Sequence, residues 1–237
     1  MTKCNFWNFK KIILWTALMT LSCGATWAQA SVPSTKTTVI YFGQQRAEEF
    51  ELKIKPLFLE KSRPCKNCEI VNYTPYNKDG EVDMESLLER LESLPSGTSF
   101  VFFDFNFRIN DDNRAVLDLL NKKADSGLVV VGSAGAPKPS EASGPLSRTL
   151  LGQTHGALII GELSERDRLM PTAFYGPEML TALRPPKEIM GQGYGPLIFA
   201  ANLAESWQKR SAVDWVEYLK TKKMKTRKLW LDLNDMF

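Results

Sequence analysis

The sequence predicts an α/β fold, a mostly parallel central sheet covered by helices on both faces in three layers. Three observations carry that expectation. Apolar runs such as Phe100-Val-Phe-Phe103 are continuous rather than alternating, as in strands buried on both faces of a parallel sheet. The segments between them have helical spacing, with Met84, Leu87, Leu88, Leu91 and Leu94 on one face of the stretch from Asp83 to Leu94. Strands alternating with helices imply right-handed crossovers within one sheet.

Taken in order, Thr37-Thr-Val-Ile-Tyr-Phe42 is β-rich and stops at Gly43, which makes it the first central strand. The stretch from Ala47 to Leu59 is mixed, either a helix or a short extended segment. Ile70-Val-Asn-Tyr73 reads as a second strand, Asn77 to Gly80 as a turn, and Asp83 as the N-cap of the helix that follows. After the strand at Phe100 to Phe103, Asp111 and Asp112 read as a turn and helix cap. The helix then runs to Ser126 and is stopped by Gly127. Leu128 to Ser133 and Ala157 to Gly161 are further buried strands, and Lys138 to Gly152, rich in Pro, Ser and Gly, is expected to be an exposed loop. Leu197 to Trp207 forms an apolar helix and Ala212 to Leu219 an amphipathic one, followed by a basic run through Lys228 that reads as a solvated face. There is no internal repeat.

The first thirty residues are expected to leave the fold. Lys3, Lys10 and Lys11 precede an apolar run from Ile12 to Leu21 and then Ala28-Gln-Ala30, the layout of a secretory signal peptide cleaved after Ala30. A lipoprotein signal at Cys23 is the alternative, but Thr20-Leu-Ser22 lacks the leucine three positions before the cysteine. Cleavage removes three of the 30 basic residues and none of the 27 acidic ones. The mature chain is therefore close to neutral, which argues against a nucleic-acid partner. About 207 of the 237 residues remain, enough for one domain with a sizeable core and no transmembrane segment. In an oxidising compartment Cys65 and Cys68 are expected to form a short local disulfide. Their setting, after a basic Pro-containing stretch and before a strand, is wrong for a redox dithiol, and two ligands are too few for structural zinc.

Four segments of the second half carry a family resemblance: Gly127-Leu-Val-Val-Val-Gly-Ser-Ala-Gly-Ala136, Ala157-Leu-Ile-Ile-Gly161, Tyr175-Gly-Pro-Glu178 and Gly191-Gln-Gly-Tyr-Gly-Pro196. In order and spacing they resemble the subtilases, the subtilisin-like serine peptidases. The resemblance implies the fold of that family and the loss of its chemistry. Where the family has Ala-Ala-Gly-Asn, whose asparagine donates to the oxyanion, this chain has Ser133-Ala-Gly-Ala136. A methyl cannot donate, and losing one such donor costs about 3 kcal/mol of transition-state stabilisation. Aligning Pro196 with the proline of Gly-Thr-Ser-Met-Ala-Ser-Pro puts Gln192 on the nucleophilic serine, and Tyr41 takes the place of the aspartate that ends the first strand. The region from Asn77 to Leu87, matched to the histidine-bearing helix start, contains no histidine.

The resemblance thus implies a pseudo-peptidase that binds a peptide or protein. No cofactor or metal is expected: Gly191-Gln-Gly-Tyr-Gly195 lacks the lysine and the preceding strand of a phosphate loop, and Asp111 and Asp112 read as a turn and cap rather than as metal ligands. A groove for an extended chain is expected between the strands at Phe100 to Phe105 and Leu128 to Ser133, lined by Asp104, Phe105, Ser133, Gly135, Gly191 and Tyr194. Tyr41, Asp104, Ala136 and Gln192 should converge there. The alternative is a hydrolase with a relocated nucleophile, pairing the single histidine, His155, with a serine between Ser140 and Ser147; less favoured is thiol chemistry at Cys65 and Cys68.

Overall fold

Six parallel strands build one sheet in a computed structural model that describes residues 36–43, 45–61, 67–135, 144–185, 194–208 and 210–226. The strands are β1 (Thr37–Phe42), β2 (Cys68–Asn72), β3 (Thr98–Phe103), β4 (Val129–Ser133), β5 (Leu158–Glu162) and β6 (Met179–Leu183). They lie in the order β2-β1-β3-β4-β5-β6. The chain steps one way from β1 to β2 and then back past β1 to β3 and onward. The direction of winding therefore reverses between β1 and β3, where an open α/β sheet leaves a crevice beyond the carboxyl ends of its strands.

The helices are α1 (47–61), α2 (Met84–Glu92), α3 (Arg114–Asp125), α4 (Leu150–Gln153), α5 (Tyr194–Glu205) and α6 (Ala212–Thr226). Alternate strand residues feed opposite layers. Val39, Tyr41, Phe100, Phe102, Val129 and Val131 pack with Phe50 and Phe58 of α1, Phe199 and Leu203 of α5 and Trp215 of α6. Ile40, Phe42, Val101, Phe103 and Val130 pack with Leu87 and Leu91 of α2, Val116 and Leu120 of α3, and Leu150 and Leu151. This double coverage is why the run at Phe100 has no polar position.

The ambiguous stretch after β1 is helical, with π-type turns at Phe50–Ile54 and Leu57–Lys61. Pro56 sits between them. Proline has no N–H to donate and its ring crowds the preceding turn, and widened turns are one way a helix absorbs such a break. Asp83 caps α2 as expected, its carboxylate accepting from the N–H groups of Glu85 and Ser86. Gly127 has φ of 99°, the left-handed conformation of a C-terminal stop. Residues Gly195 to Ala204 of α5 are buried all round, and Asn202 satisfies its amide on the Ile198 carbonyl at 2.8 Å.

Three expectations are corrected. The cap before α3 is not aspartate: Asn110 and Asn113 exchange side-chain-to-backbone bonds at 2.9 and 3.1 Å and hold the turn. The part of the presumed loop from 144 to 152 is not exposed, because Leu146, Thr149, Leu150 and Leu151 are fully buried. Asn106 anchors them, donating to Thr149 Oγ1 at 2.9 Å and accepting from the Leu151 N–H at 3.1 Å. The Pro-Gly-Ser composition signalled irregular backbone, and the leucines carried it into the core. Finally, β6 was not anticipated, since Met179-Leu-Thr-Ala-Leu183 is short and follows the turn at Gly176.

Candidate site at the carboxyl edge of the sheet

Tyr41 lies next to last in β1, and its side chain points into the layer shared by α1 and α5. Its ring packs on Phe50 and Phe102 with centroids 5.2 and 6.0 Å away. The hydroxyl donates to Asp104 Oδ2, immediately past β3. Register explains the meeting: Tyr41 is opposite Phe102, and the Asp104 N–H extends the ladder to the Phe42 carbonyl at 3.0 Å. The ring leans over Gly43, two residues on and on the same face. A Cβ on Gly43 would lie 2.1 Å from the Tyr41 ring and hydroxyl, so only glycine fits beneath it.

The segment after β1 is tied down by the loop after β2. The Gly43 N–H donates to Thr74 Oγ1 at 2.6 Å, and the Tyr76 hydroxyl is directed at the carbonyls of Gly43, at 2.9 Å, and Gln45. Across the crevice, Tyr194 opens α5. Glu162 ends β5, is 5% exposed, and accepts from the Gly195 N–H at 2.9 Å. A buried carboxylate therefore occupies the N-terminus of α5, where unsatisfied N–H groups and the helix dipole favour an anion.

The phenols report the local field. Burial, followed by the charge and hydrogen bond of Asp104, pushes Tyr41 far above the usual tyrosine range. Burial pushes Tyr76 up to about 12, Asp104 and Glu49 acting in the same direction and the Thr74 hydrogen bond and Arg46 against it. Burial also raises Tyr194, with Lys53 opposing and Glu49, Asp104 and Glu162 adding to it. The crevice is thus tyrosine-lined, and carboxylates (Asp104, Glu49) and cations (Arg46, Lys53) both act on its phenols.

Several expected groove residues lie elsewhere. β3 and β4 are directly paired from Phe100 opposite Val129 to Phe103 opposite Gly132, and the Asn106 N–H reaches the Gly135 carbonyl at 2.8 Å beyond them. No extended chain fits between two strands already bonded to each other. Phe105 is buried against Phe103 and Phe107 in the α2–α3 layer. Ser133 is buried and accepts from the Gly135 N–H, and Gly135 itself bridges to Ala173. Of the described groove candidates, Asp104 and Tyr194 remain partly open at the crevice. Ala136, Gly191, Gln192 and Cys65 lie outside the described residues, while Cys68 opens β2.

The match of α2 to the family's histidine-bearing helix is also corrected. α2 packs with α3 on the face opposite α5. The helix beside α5 is α1, whose start at Arg46-Ala47-Glu48-Glu49 contains no histidine. His155 stands in the turn before β5, at the amino edge of the sheet. Its N–H donates to Asn121 Oδ1 at 2.8 Å and its ring Nδ1 pairs with Asp125 at 2.9 Å, both exposed. Sequence reasoning missed Glu162, Tyr76 and Glu49. The signal for Glu162 was its place at the carboxyl end of an otherwise apolar strand, whereas Tyr76 and Glu49 had none.

Solved structures similar to this chain include proteases. The chain is similar to a self-cleaved protease domain of PatA (TM-score 0.58, 11% identity, 85% of this chain and 94% of that one). It is also similar to a cold-adapted subtilisin-like serine proteinase (TM-score 0.58, 10% identity, 78% and 81%) and to a lanthipeptide protease (TM-score 0.57, 11% identity, 78% and 79%). The fold is subtilisin-like. No family model and no curated protein matches the chain. At such identities the likeness shows the subtilisin-like fold alone.

Proposed function

We propose that this chain is an exported, non-catalytic subtilisin-like domain, a pseudo-peptidase that binds a peptide or protein segment at the carboxyl edge of its sheet. The observation that carries this reading is the α5 N-terminus capped by the chain's own buried carboxylate, Glu162. Acyl transfer by this fold needs donors and positive potential at that helix start, where negative charge develops on the substrate oxygen. Glu162 takes up the Gly195 N–H, a donor that this helix start would otherwise offer to a substrate oxygen. The end of β1 supports the same reading, because Tyr41 is buried and its hydroxyl is committed to Asp104, so it cannot orient a histidine. The signal-like residues 1–30 support export, and an oxidising destination supports a Cys65–Cys68 disulfide.

The test is incubation of the purified protein with a fluorophosphonate probe, followed by intact mass measurement. No adduct and no cleavage of an unstructured protein substrate are expected. A stoichiometric adduct on any serine would overturn the proposal in favour of a relocated nucleophile. His155 gives that alternative little support, since it sits at the opposite edge of the sheet from Tyr41 and Asp104.

A further inference from the structure

Charge is separated most sharply along this chain at and just beyond α6. Residues 220–228 hold Lys220, Lys222, Lys223, Lys225, Arg227 and Lys228 and no acidic residue. They are six of the 27 basic residues that follow residue 30, so the remaining 21 are set against 27 acidic ones. A mature chain that is neutral in sum is therefore acidic over most of its length and basic at this one place. Four of the lysines fall within six residues of α6 (Ala212–Thr226), about 8 Å along a helix axis. Physiological salt screens a charge over ~8 Å, so the four act together. Packing does not call for them. Trp215 and Leu219 are the buried residues by which α6 joins the core. Helical spacing puts the next core positions at 222 and 223, and both are lysine. Nor does the helix dipole require them, since its negative end amounts to about half a charge, which one or two cations satisfy.

From this concentration of charge we infer that the end of α6 and the residues after it dock the protein on an anionic lipid surface. Leu229, Trp230, Leu231 and Leu233 follow the cations directly, and no acidic residue stands between Glu217 and Asp232. Cations beside leucines and a tryptophan suit a bilayer surface, where lysine and arginine meet the headgroups and indole and leucine enter the interface. Charge alone would serve a nucleic acid or an acidic protein equally well. The adjoining apolar residues favour lipid, and so does export, which takes the chain away from nucleic acid. Each cation held near such a surface strengthens attachment about fivefold, so a run of six suffices for stable attachment without a spanning helix. The inference concerns a different part of the molecule from the crevice and does not depend on what binds there.

Co-sedimentation of the chain from Ser31 onward with lipid vesicles tests it, because the apolar run before Ala30 would bind any bilayer. Vesicles of phosphatidylcholine alone are compared with mixed phosphatidylcholine–phosphatidylglycerol vesicles at about 0.1 M salt. Binding to the mixed vesicles is expected to be at least about a hundredfold tighter. Raising salt to about 1 M shortens the screening length to ~3 Å and should release the protein. The fourfold variant Lys220→Gln/Lys222→Gln/Lys223→Gln/Lys225→Gln should bind at least about a hundredfold more weakly, at about fivefold per cation, and Trp230→Ala should bind several-fold more weakly. The lipid and salt comparisons use the unaltered sequence, so they decide the matter even where the fourfold variant fails to fold. No binding to the mixed vesicles, equal binding to phosphatidylcholine, or undiminished binding by the folded fourfold variant overturns the inference. Tighter binding to duplex DNA or to polyglutamate than to the mixed vesicles, at the same salt, overturns it in favour of a soluble polyanion. None of these results bears on the non-catalytic reading of the crevice, which the fluorophosphonate probe tests separately.

Discussion

Replacing Tyr41 by phenylalanine removes a single oxygen from the crevice, and the consequences can be worked out on both sides of pH 10. Near neutrality Tyr41→Phe loses one hydrogen bond to a carboxylate, worth about 2 kcal/mol. For a domain of this size that lowers Tm by roughly 4–8 °C. Above pH ~10 that advantage is eroded. The folded phenol is held far above its ordinary value of 10.0, so above that value the unfolded chain releases a proton that the fold retains. Wild-type stability then falls by about 1.4 kcal/mol per pH unit from this residue alone. That stabilisation is present in full below pH ~10 and is lost as pH rises toward the folded value. Tyr→Phe abolishes this limb. Tyr76 and Tyr194 contribute limbs of the same sign to both proteins and cancel in the difference. Urea denaturation followed by tryptophan fluorescence, in half-unit steps from pH 7 to 11.5, should show a gap between the proteins that is flat to pH ~10. The gap should then close by about 1.4 kcal/mol per unit. A gap that stays constant to pH 11 would refute the assignment of Tyr41 as a buried, protonated donor.

Two further substitutions test how the crevice is built. Gly43→Ala places a Cβ about where the Tyr41 ring and hydroxyl already lie. It should cost about 1–3 kcal/mol as overpacking and should leave Gly43→Ala/Tyr41→Phe no less stable than the sum of the single changes, read by denaturant midpoints. Asn106→Ala removes the buried amide that serves both Thr149 and Leu151. A loss of about 2–3 kcal/mol is expected, and proteolysis should open the 144–152 segment first; a change within 0.5 kcal/mol would show that this segment is held by its leucines alone.

Much of the fold was legible in the sequence wherever one short-range rule acted unopposed. The continuous run Phe100-Val-Phe-Phe103, the spacing of Leu87 and Leu91, Asp83 at a helix start and Gly127 at a helix end each depend on neighbours a few residues away. Two places resisted because competing signals met there. Around Pro56 a helix-breaking residue lies inside a helix, and between 144 and 152 a loop-like composition surrounds core leucines.

By itself the sequence determined the α/β class, the buried strands and the presence of Tyr41 at the end of the first one. The partnership of Tyr41 with Asp104, 63 positions apart, was within reach of the resemblance. The rest of the crevice was decided only by the tertiary structure. Parallel pairing of β3 with β4 closed the expected groove, and the reversal of strand order between β1 and β3 opened another beside it. Burial of Glu162 against α5 depends on the approach of two elements 33 residues apart. Which carboxylates share a field, and which helix faces them, follows from how strands are ordered across a sheet, and strand order leaves no periodic trace along the chain.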